Sequence, residues 1–203
     1  MGIKTGITDA AGCYEQTQTT IVIRDKPRAG FSSNIVCEGV ANDFTDESNV
    51  NASVIDTWQW DLGDGIGTAT TANPSYSYTQ AGVYQAELVV ETDHGCKDTI
   101  IKDVIVNATP VISISGIDTC LNNVTVFSNN SSPQDNTITS WDWDFGDATT
   151  ATGVTASTTY LDYGIYTVML TATSDSGCVA SGTKQIEVFP NPVRDILHVK
   201  LIE

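Results

Sequence analysis

The sequence predicts an all-β chain of tandem sandwiches, two complete copies preceded by the tail of another. Three observations carry this. Trp58-Gln59-Trp60-Asp61-Leu62-Gly63-Asp64 returns 83 positions later as Trp141-Asp142-Trp143-Asp144-Phe145-Gly146-Asp147, and such an echo marks a repeated unit. Tyr84, Ala86, Leu88 and Val90 fall on one face opposite Gln85, Glu87 and Glu91, and Tyr166, Val168, Leu170 and Ala172 do the same opposite Thr167, Thr171 and Thr173. That period of two is the pattern of half-buried antiparallel strands. Turn signals at Gly63-Asp64-Gly65, Asn73-Pro74 and Asp93-His94-Gly95 break the chain at strand-length intervals, while Thr, Val and Ile abound and no stretch shows an amphipathic helical pattern.

Residues 1–26 read as the C-terminal tail of a preceding repeat. Gly12-Cys13 lies 83 positions before Gly95-Cys96, and Ile21 and Ile23 match Val104 and Val106. Residues 27–107 form the first full copy and residues 108–189 the second, which is one residue shorter between its Gly-Asp and Tyr160. Copies of about 80 residues are domain-sized and can each hold a core. The joints Asp25-Lys26-Pro27 and Asn107-Ala108-Thr109-Pro110 are short and proline-stiffened, so they read as semi-rigid. A strand of about ten residues spans on the order of 33 Å, and two copies end to end reach about twice that. Residues 190–203 are a short terminal segment. Because it opens partway through a repeat, the chain reads as a piece of a longer one, and the lack of an export signal at Met1-Gly2-Ile3-Lys4 carries no information.

Composition narrows the partners. The formal charge is -16, from 25 acidic against 9 basic residues, which disfavours nucleic acid and anionic membrane surfaces. No apolar run approaches the roughly 20 residues of a membrane span. Each full copy holds two of the five cysteines at matching positions. This predicts a disulfide within each copy, Cys37 with Cys96 and Cys120 with Cys178, with small buried thiols as the alternative. Closing a loop of roughly 60 residues would stabilise each copy by about 3–4 kcal/mol on the chain-entropy model. Disulfides imply an oxidising compartment. Cys13 reads as the second member of a pair whose first member lies upstream. The orders Cys37, Trp60, Cys96 and Cys120, Trp143, Cys178 fit an immunoglobulin-like sandwich, although each second cysteine follows a turn glycine and places the bridge nearer one end.

These residues also resemble the PKD domain, an immunoglobulin-like module of large extracellular proteins. Its signature is a tryptophan strand ending in W-D-F-G-D-G, then a Pro or Tyr region, then G-x-Y and a valine-rich strand. The first copy reads Trp60-Asp61-Leu62-Gly63-Asp64-Gly65, then Pro74, Tyr76 and Tyr78, then Gly82-Val83-Tyr84. The second reads Trp143-Asp144-Phe145-Gly146-Asp147-Ala148, then Tyr160, then Gly164-Ile165-Tyr166. It departs in Ala148, which cannot meet a demand for positive φ without cost, and in Ala156 where the first copy has Pro74. The segment Phe189-Pro190-Asn191-Pro192-Val193-Arg194-Asp195-Ile196-Leu197-His198-Val199 resembles the opening of the C-terminal sorting domain of the type IX secretion system. That resemblance implies a secreted or surface-anchored parent from a Bacteroidetes-type bacterium.

No catalytic constellation is visible. The two histidines, His94 and His198, lie in a turn and in the terminal segment, and no phosphate loop, zinc spacing or nucleophile elbow occurs. The chain therefore reads as no enzyme. The resemblance implies calcium as a candidate ligand, because some PKD-like domains of secreted collagenases bind it near the Gly-Asp turn. Its ligands here would include Asp46, Asp64 and Asp147, since calcium takes six to eight oxygens. The other reading has these carboxylates accepting backbone N–H bonds and shaping the turn. The acidic loop of the first copy, Asp43, Asp46 and Glu47, is a candidate to lie at the same end, and the second copy offers fewer acids there, with Asn129, Asn130, Ser131, Ser132 and Asp135. Tyr76 and Tyr78, with Tyr160 and Tyr163, are candidates for stacking on sugar rings or for covering a sandwich edge. The expected function is a non-catalytic extracellular spacer or interaction module of a larger protein, a stalk or adhesin segment. The alternative is a carbohydrate- or protein-binding accessory module of a secreted enzyme. Expected partners are upstream domains of the same parent chain, and polysaccharide or a surface protein, without nucleic acid or membrane insertion.

Overall fold

The computed structural model describes residues 2–20, 23–134 and 137–191. The sorting-domain reading from Pro192 onward, and Asp135, lie outside the described residues. Among the described residues every regular element is a β-strand, and no helix is long and apolar enough to cross a membrane.

β1 (Gly2–Thr8) and β2 (Tyr14–Thr20) make an antiparallel hairpin in register from Gly2↔Thr20 to Thr8↔Tyr14. The first repeat then supplies eight strands: β3 (Phe31–Ser33), β4 (Val36–Cys37), β5 (Ala41–Asp46), β6 (Ile55–Asp61), β7 (Thr68–Ala69), β8 (Ser75–Ser77), β9 (Gly82–Thr92) and β10 (Lys97–Asn107). One sheet runs β4-β10-β9-β6-β7 and the other β3-β5-β8. The second repeat supplies β11 (Ile114–Ser115), β12 (Thr119–Cys120), β13 (Val124–Asn129), β14 (Ile138–Asp144), β15 (Thr150–Thr152), β16 (Thr155–Thr159), β17 (Gly164–Ser174) and β18 (Val179–Phe189). Its sheets run β12-β18-β17-β14-β15 and β11-β13-β16, so the sequence echo is an echo of topology. In each repeat the short strand carrying the first cysteine pairs in parallel with the last long strand. Val36 and Cys37 lie beside Val106 and Asn107, and Thr119 and Cys120 beside Val188 and Phe189.

The chain packs as two compact units whose described residues fall within Met1–Asn34, Asn42–Tyr76 and Tyr84–Val104, and within Ile35–Ala41, Ser77–Val83 and Ile105–Glu203. In the first, the alternation of β6 turns Trp60 inward, opposite Leu88 of β9. Phe31 and Phe44 from the smaller sheet meet it edge-on, with ring centroids 5.1 and 5.6 Å away. Aromatic side chains bury the most apolar area per residue, and tilted pairs add to that burial. In the second, Phe127, Trp143, Phe145, Tyr160, Val168, Leu170, Ile186 and Val188 form the core. Each buried indole keeps a partner for its N–H, Trp60 Nε1 donating to Thr71 O and Trp143 Nε1 to Gly153 O, both at 2.9 Å.

Candidate functional site

The Gly-Asp turns follow β6 and β14. After β6, the Asp61 carboxylate accepts Gly63 N–H at 2.9 Å, and Leu62 N–H closes the turn on Gly67 O at 2.9 Å. Asp64 Oδ1 accepts Ile66 N–H at 2.9 Å and Gly67 N–H at 2.7 Å, while Oδ2 accepts the Tyr76 hydroxyl at 2.5 Å. Burial pushes the Asp64 carboxyl up, but the Tyr76 hydroxyl and the Gly67 and Ile66 N–H groups outweigh it and hold the group below its usual range. Hydrogen bonds to the charged form act in that direction. Gly63 has φ +82°, and a Cβ there would lie 2.4 Å from Gln85 O of β9. Glycine is required at this position both for the dihedral and for the close approach.

The second repeat builds the turn one residue tighter. Phe145 N–H closes on Thr149 O at 3.1 Å, and Asp147 Oδ1 accepts the Thr149 N–H at 2.9 Å and hydroxyl at 2.5 Å. The residue missing from the second copy is missing here. Ala148 takes φ +68° where Gly65 takes +78°, so the turn does demand a positive φ of an alanine. Asp46 is engaged elsewhere, accepting Ser48 N–H at 3.0 Å and Trp58 Nε1–H at 2.7 Å. Among the described residues no three Asp, Glu, His or Cys side chains gather in a group that could hold a metal ion. The structure thus shows Asp46, Asp64 and Asp147 each capping a turn or an indole, and does not assemble them into a cation cage.

Two of the tyrosines read as exposed platforms are core residues. Tyr78 and Tyr160 are fully buried, and the Tyr160 hydroxyl donates to Phe145 O at 3.1 Å. Burial above all, with the Asp147 charge and Tyr166 beside it, pushes the Tyr160 phenol well up. Tyr76 is half-buried, and its ring lies over Gly67, where a Cβ would come within 2.6 Å of Cζ. Tyr76 and Tyr78 therefore form no sugar-stacking pair. Of the four, Tyr163 is the exposed one.

The cysteine pairing is also corrected. Cys37 bonds to Cys178, with Cα atoms 5.7 Å apart, and Cys13, Cys96 and Cys120 are free thiols. The physical reason lies in β10 and β18. Cys37 pairs with Asn107 at the end of β10, whereas Cys96 precedes Lys97 at its start. Eleven extended residues separate Cys96 from Asn107, about 36 Å at ~3.3 Å per residue, far beyond the roughly 7 Å limit for a bridge. Cys120 pairs with Phe189 while Cys178 precedes Val179, so the same length of strand parts them. The two cysteines of one repeat mark its opposite ends. The bridge lies inside the second unit, which takes in Ile35–Ala41 of the first repeat. Glu38, next to the bridge, grips the linker: its Oε1 accepts the Thr109 N–H at 3.0 Å and hydroxyl at 2.7 Å, and its Oε2 accepts Ala81 N–H at 3.1 Å. The two Thr109 bonds outweigh the opposing effect of burial and, with Ala81, hold the Glu38 carboxyl below its usual range. Sequence reasoning missed Glu38, since the second copy has Leu121 at that place and no motif marks it.

Comparison with known proteins agrees with the repeat structure. The pre-pro-metalloprotease PrtV of Vibrio cholerae serotype O1 is 29% identical over 165 residues, 80% of this chain and 17% of that protein. The chain therefore spans under a fifth of the length of this relative. The PKD1 domain from PrtV, as a solved structure, is 32% identical, covers 40% of this chain and 98% of its own, and has a TM-score of 0.38. The PKD1 domain of Vibrio anguillarum Epp is 29% identical over 42% of this chain and 99% of its own, with a TM-score of 0.40. The PKD domain family itself matches residues 24–106 and 107–189, and the chain belongs to that family.

Proposed function

We propose that this chain is a non-catalytic spacer in an extracellular or cell-surface protein, holding neighbouring domains of its parent at a set separation. The observation that carries the reading is the Cys37–Cys178 bridge, which ties a residue of the first repeat to one of the second. The linker between the repeats is thereby paralleled by a covalent cross-link, and Glu38 holds the linker by two hydrogen bonds from Thr109 and is itself held by Ala81 N–H. A disulfide also supports an oxidising compartment, and the formal net charge of -16 supports a soluble, self-repelling segment. PKD repeats are non-catalytic modules, so the activity of the parent would reside in other domains.

Small-angle X-ray scattering tests this. The oxidised chain should give a narrow set of inter-repeat distances, and Cys37→Ser a broader one with both repeats still folded. Equally broad distributions in both would refute the spacer reading.

A second reading, an accessory module of a secreted enzyme, is supported by the likeness to a metalloprotease. On that reading, partner or polysaccharide binding would use surfaces other than Tyr76 and Tyr78. Calcium remains a proposal for the Gly-Asp turns. A rise in melting temperature on adding calcium to the chelated chain, absent in Asp64→Asn, would support it.

A further inference from the structure

The Cys37–Cys178 bridge joins two kinds of end, and the chain carries further examples of each. The first kind is a turn after a two-residue parallel strand. At Cys37 it is closed by Val40 N–H to Cys37 O at 3.1 Å, Gly39 N–H to Tyr78 O at 2.7 Å and Glu38 N–H to Asn107 O at 2.9 Å. Cys120 is held by the same three bonds: Asn123 N–H to Cys120 O at 3.1 Å, Asn122 N–H to Tyr160 O at 3.1 Å and Leu121 N–H to Phe189 O at 2.8 Å. Gly39 and Asn122 both take positive φ, 76° and 65°.

The second kind is a Gly-Cys hairpin tip. At Cys178, Gly177 has φ 81°, Ser174 N–H donates to Cys178 O at 2.9 Å, and Cys178 N–H donates to Ser174 Oγ at 3.1 Å. At Cys96, Gly95 has φ 80°, and Thr92 makes the same two bonds at 2.9 and 3.1 Å. At Cys13, Gly12 has φ 80°, and Asp9 makes them at 3.0 and 2.9 Å. Three different side chains serve one tip geometry. The chain thus presents two turns and three tips, of which one turn and one tip are joined.

We propose that Cys120 accepts the Gly-Cys tip of a second copy of this chain, through Cys96 or Cys13, so that molecules link head to tail by a disulfide between unlike ends. The observation pointing to this partner is the bond already made by Cys37, whose backbone turn and three hydrogen bonds Cys120 reproduces. Cys13 is exposed, and Cys96 and Cys120 are partly so. Each linkage converts two protein thiols and one small-molecule disulfide, such as oxidised glutathione, into one protein disulfide and two glutathione thiols. The like charge of the copies opposes their approach, and salt screens it. The inference rests on the cysteine turns and not on the spacer reading, so the scattering experiment and the one below fail independently.

The test incubates the whole chain with a glutathione redox buffer at high salt, then maps cross-linked peptides without reduction. The expected result is a ladder of oligomers in which Cys120 is joined to Cys96 or Cys13, with Cys37–Cys178 kept inside each molecule. Cys120→Ser should remove the ladder, as should Cys13→Ser with Cys96→Ser together, while either tip variant alone should keep it. Circular dichroism checks that each variant stays folded. Like pairs such as Cys120–Cys120 at the frequency of unlike pairs would overturn the proposal. So would a monomer whose Cys120 remains open to alkylation, or a Cys37–Cys96 bond.

Discussion

Gly63→Ala and Gly65→Ala separate two reasons for a glycine in one turn. Both residues have positive φ, +82° and +78°. An L-residue in that region costs about 1–2 kcal/mol, and loss of glycine's freedom in the unfolded chain returns about 0.4–1 kcal/mol. Gly65→Ala meets nothing within 4 Å, so its net cost is about 1 kcal/mol or less. Gly63→Ala carries the same cost and also puts Cβ 2.4 Å from the oxygen, 2.7 Å from the carbonyl carbon and 2.8 Å from the nitrogen of Gln85. These are backbone atoms in the paired strand β9, which cannot rotate away. Overpacking of this kind adds about 1–3 kcal/mol, for a total of about 2–4 kcal/mol. At about 4–8 °C per kcal/mol for a domain of this size, the melting temperature of the first repeat should fall by about 5 °C for Gly65→Ala and about 15 °C for Gly63→Ala. Calorimetric melting of the chain and both variants reads the difference directly. Equal losses would refute the steric argument and leave only the dihedral.

Other outcomes follow from the same geometry. Ala148→Gly should stabilise the second repeat by up to about 1 kcal/mol, because it relieves a positive φ at the small entropic cost of a glycine; urea denaturation checks it. Cys37→Ser should lower stability by about 2–4 kcal/mol, measured on the oxidised chain, and reductant should then leave the variant unchanged. The folded carboxyl of Asp64 titrates below its ordinary value of 3.8, so its contribution is fully present above that value and is lost as pH falls through the folded pKa. Denaturation at pH 7 and in the acid range should show that loss, and Tyr76→Phe should make it smaller. Tyr78→Ala should cost about 3–5 kcal/mol, as for other buried aromatic residues; an unchanged melting temperature would contradict its place in the core.

The repeat, the strands and the inward tryptophans were legible because Trp60 and Trp143 recur in the same alternating frame. The turn-shaping role of Asp64 was legible too, since a carboxylate beside Gly63 and Gly65 finds free backbone N–H groups. Tyr78 was misread although the signal was there. It stands just past the end of β8, two residues beyond the inward-leaning Tyr76, where the period of two carries the next aromatic into the core. The disulfide was not legible. Position within a repeat says which cysteines correspond, but it does not say at which end of the sandwich each one lies. That depended on β10 running unbroken from Lys97 to Asn107 and on Cys37 pairing in parallel with its far end, neither of which has a local sequence mark. Glu38 was invisible for a related reason, since its partner Thr109 lies 71 residues away.

The segment that is copied in the sequence and the segment that holds together in space are out of step. The copy boundary falls near residue 107, while Ile35–Ala41 and Ser77–Val83 belong with the residues beyond it. An expression boundary drawn there would strip each piece of contacts it has in the whole: the upstream product would keep Cys37 without Cys178, and Glu38 without Thr109. Dissection into single repeats would then report a lower stability than the intact chain possesses. A shuffled array would need to exchange these two repeats as matched neighbours, because their joint is written half in one copy and half in the next.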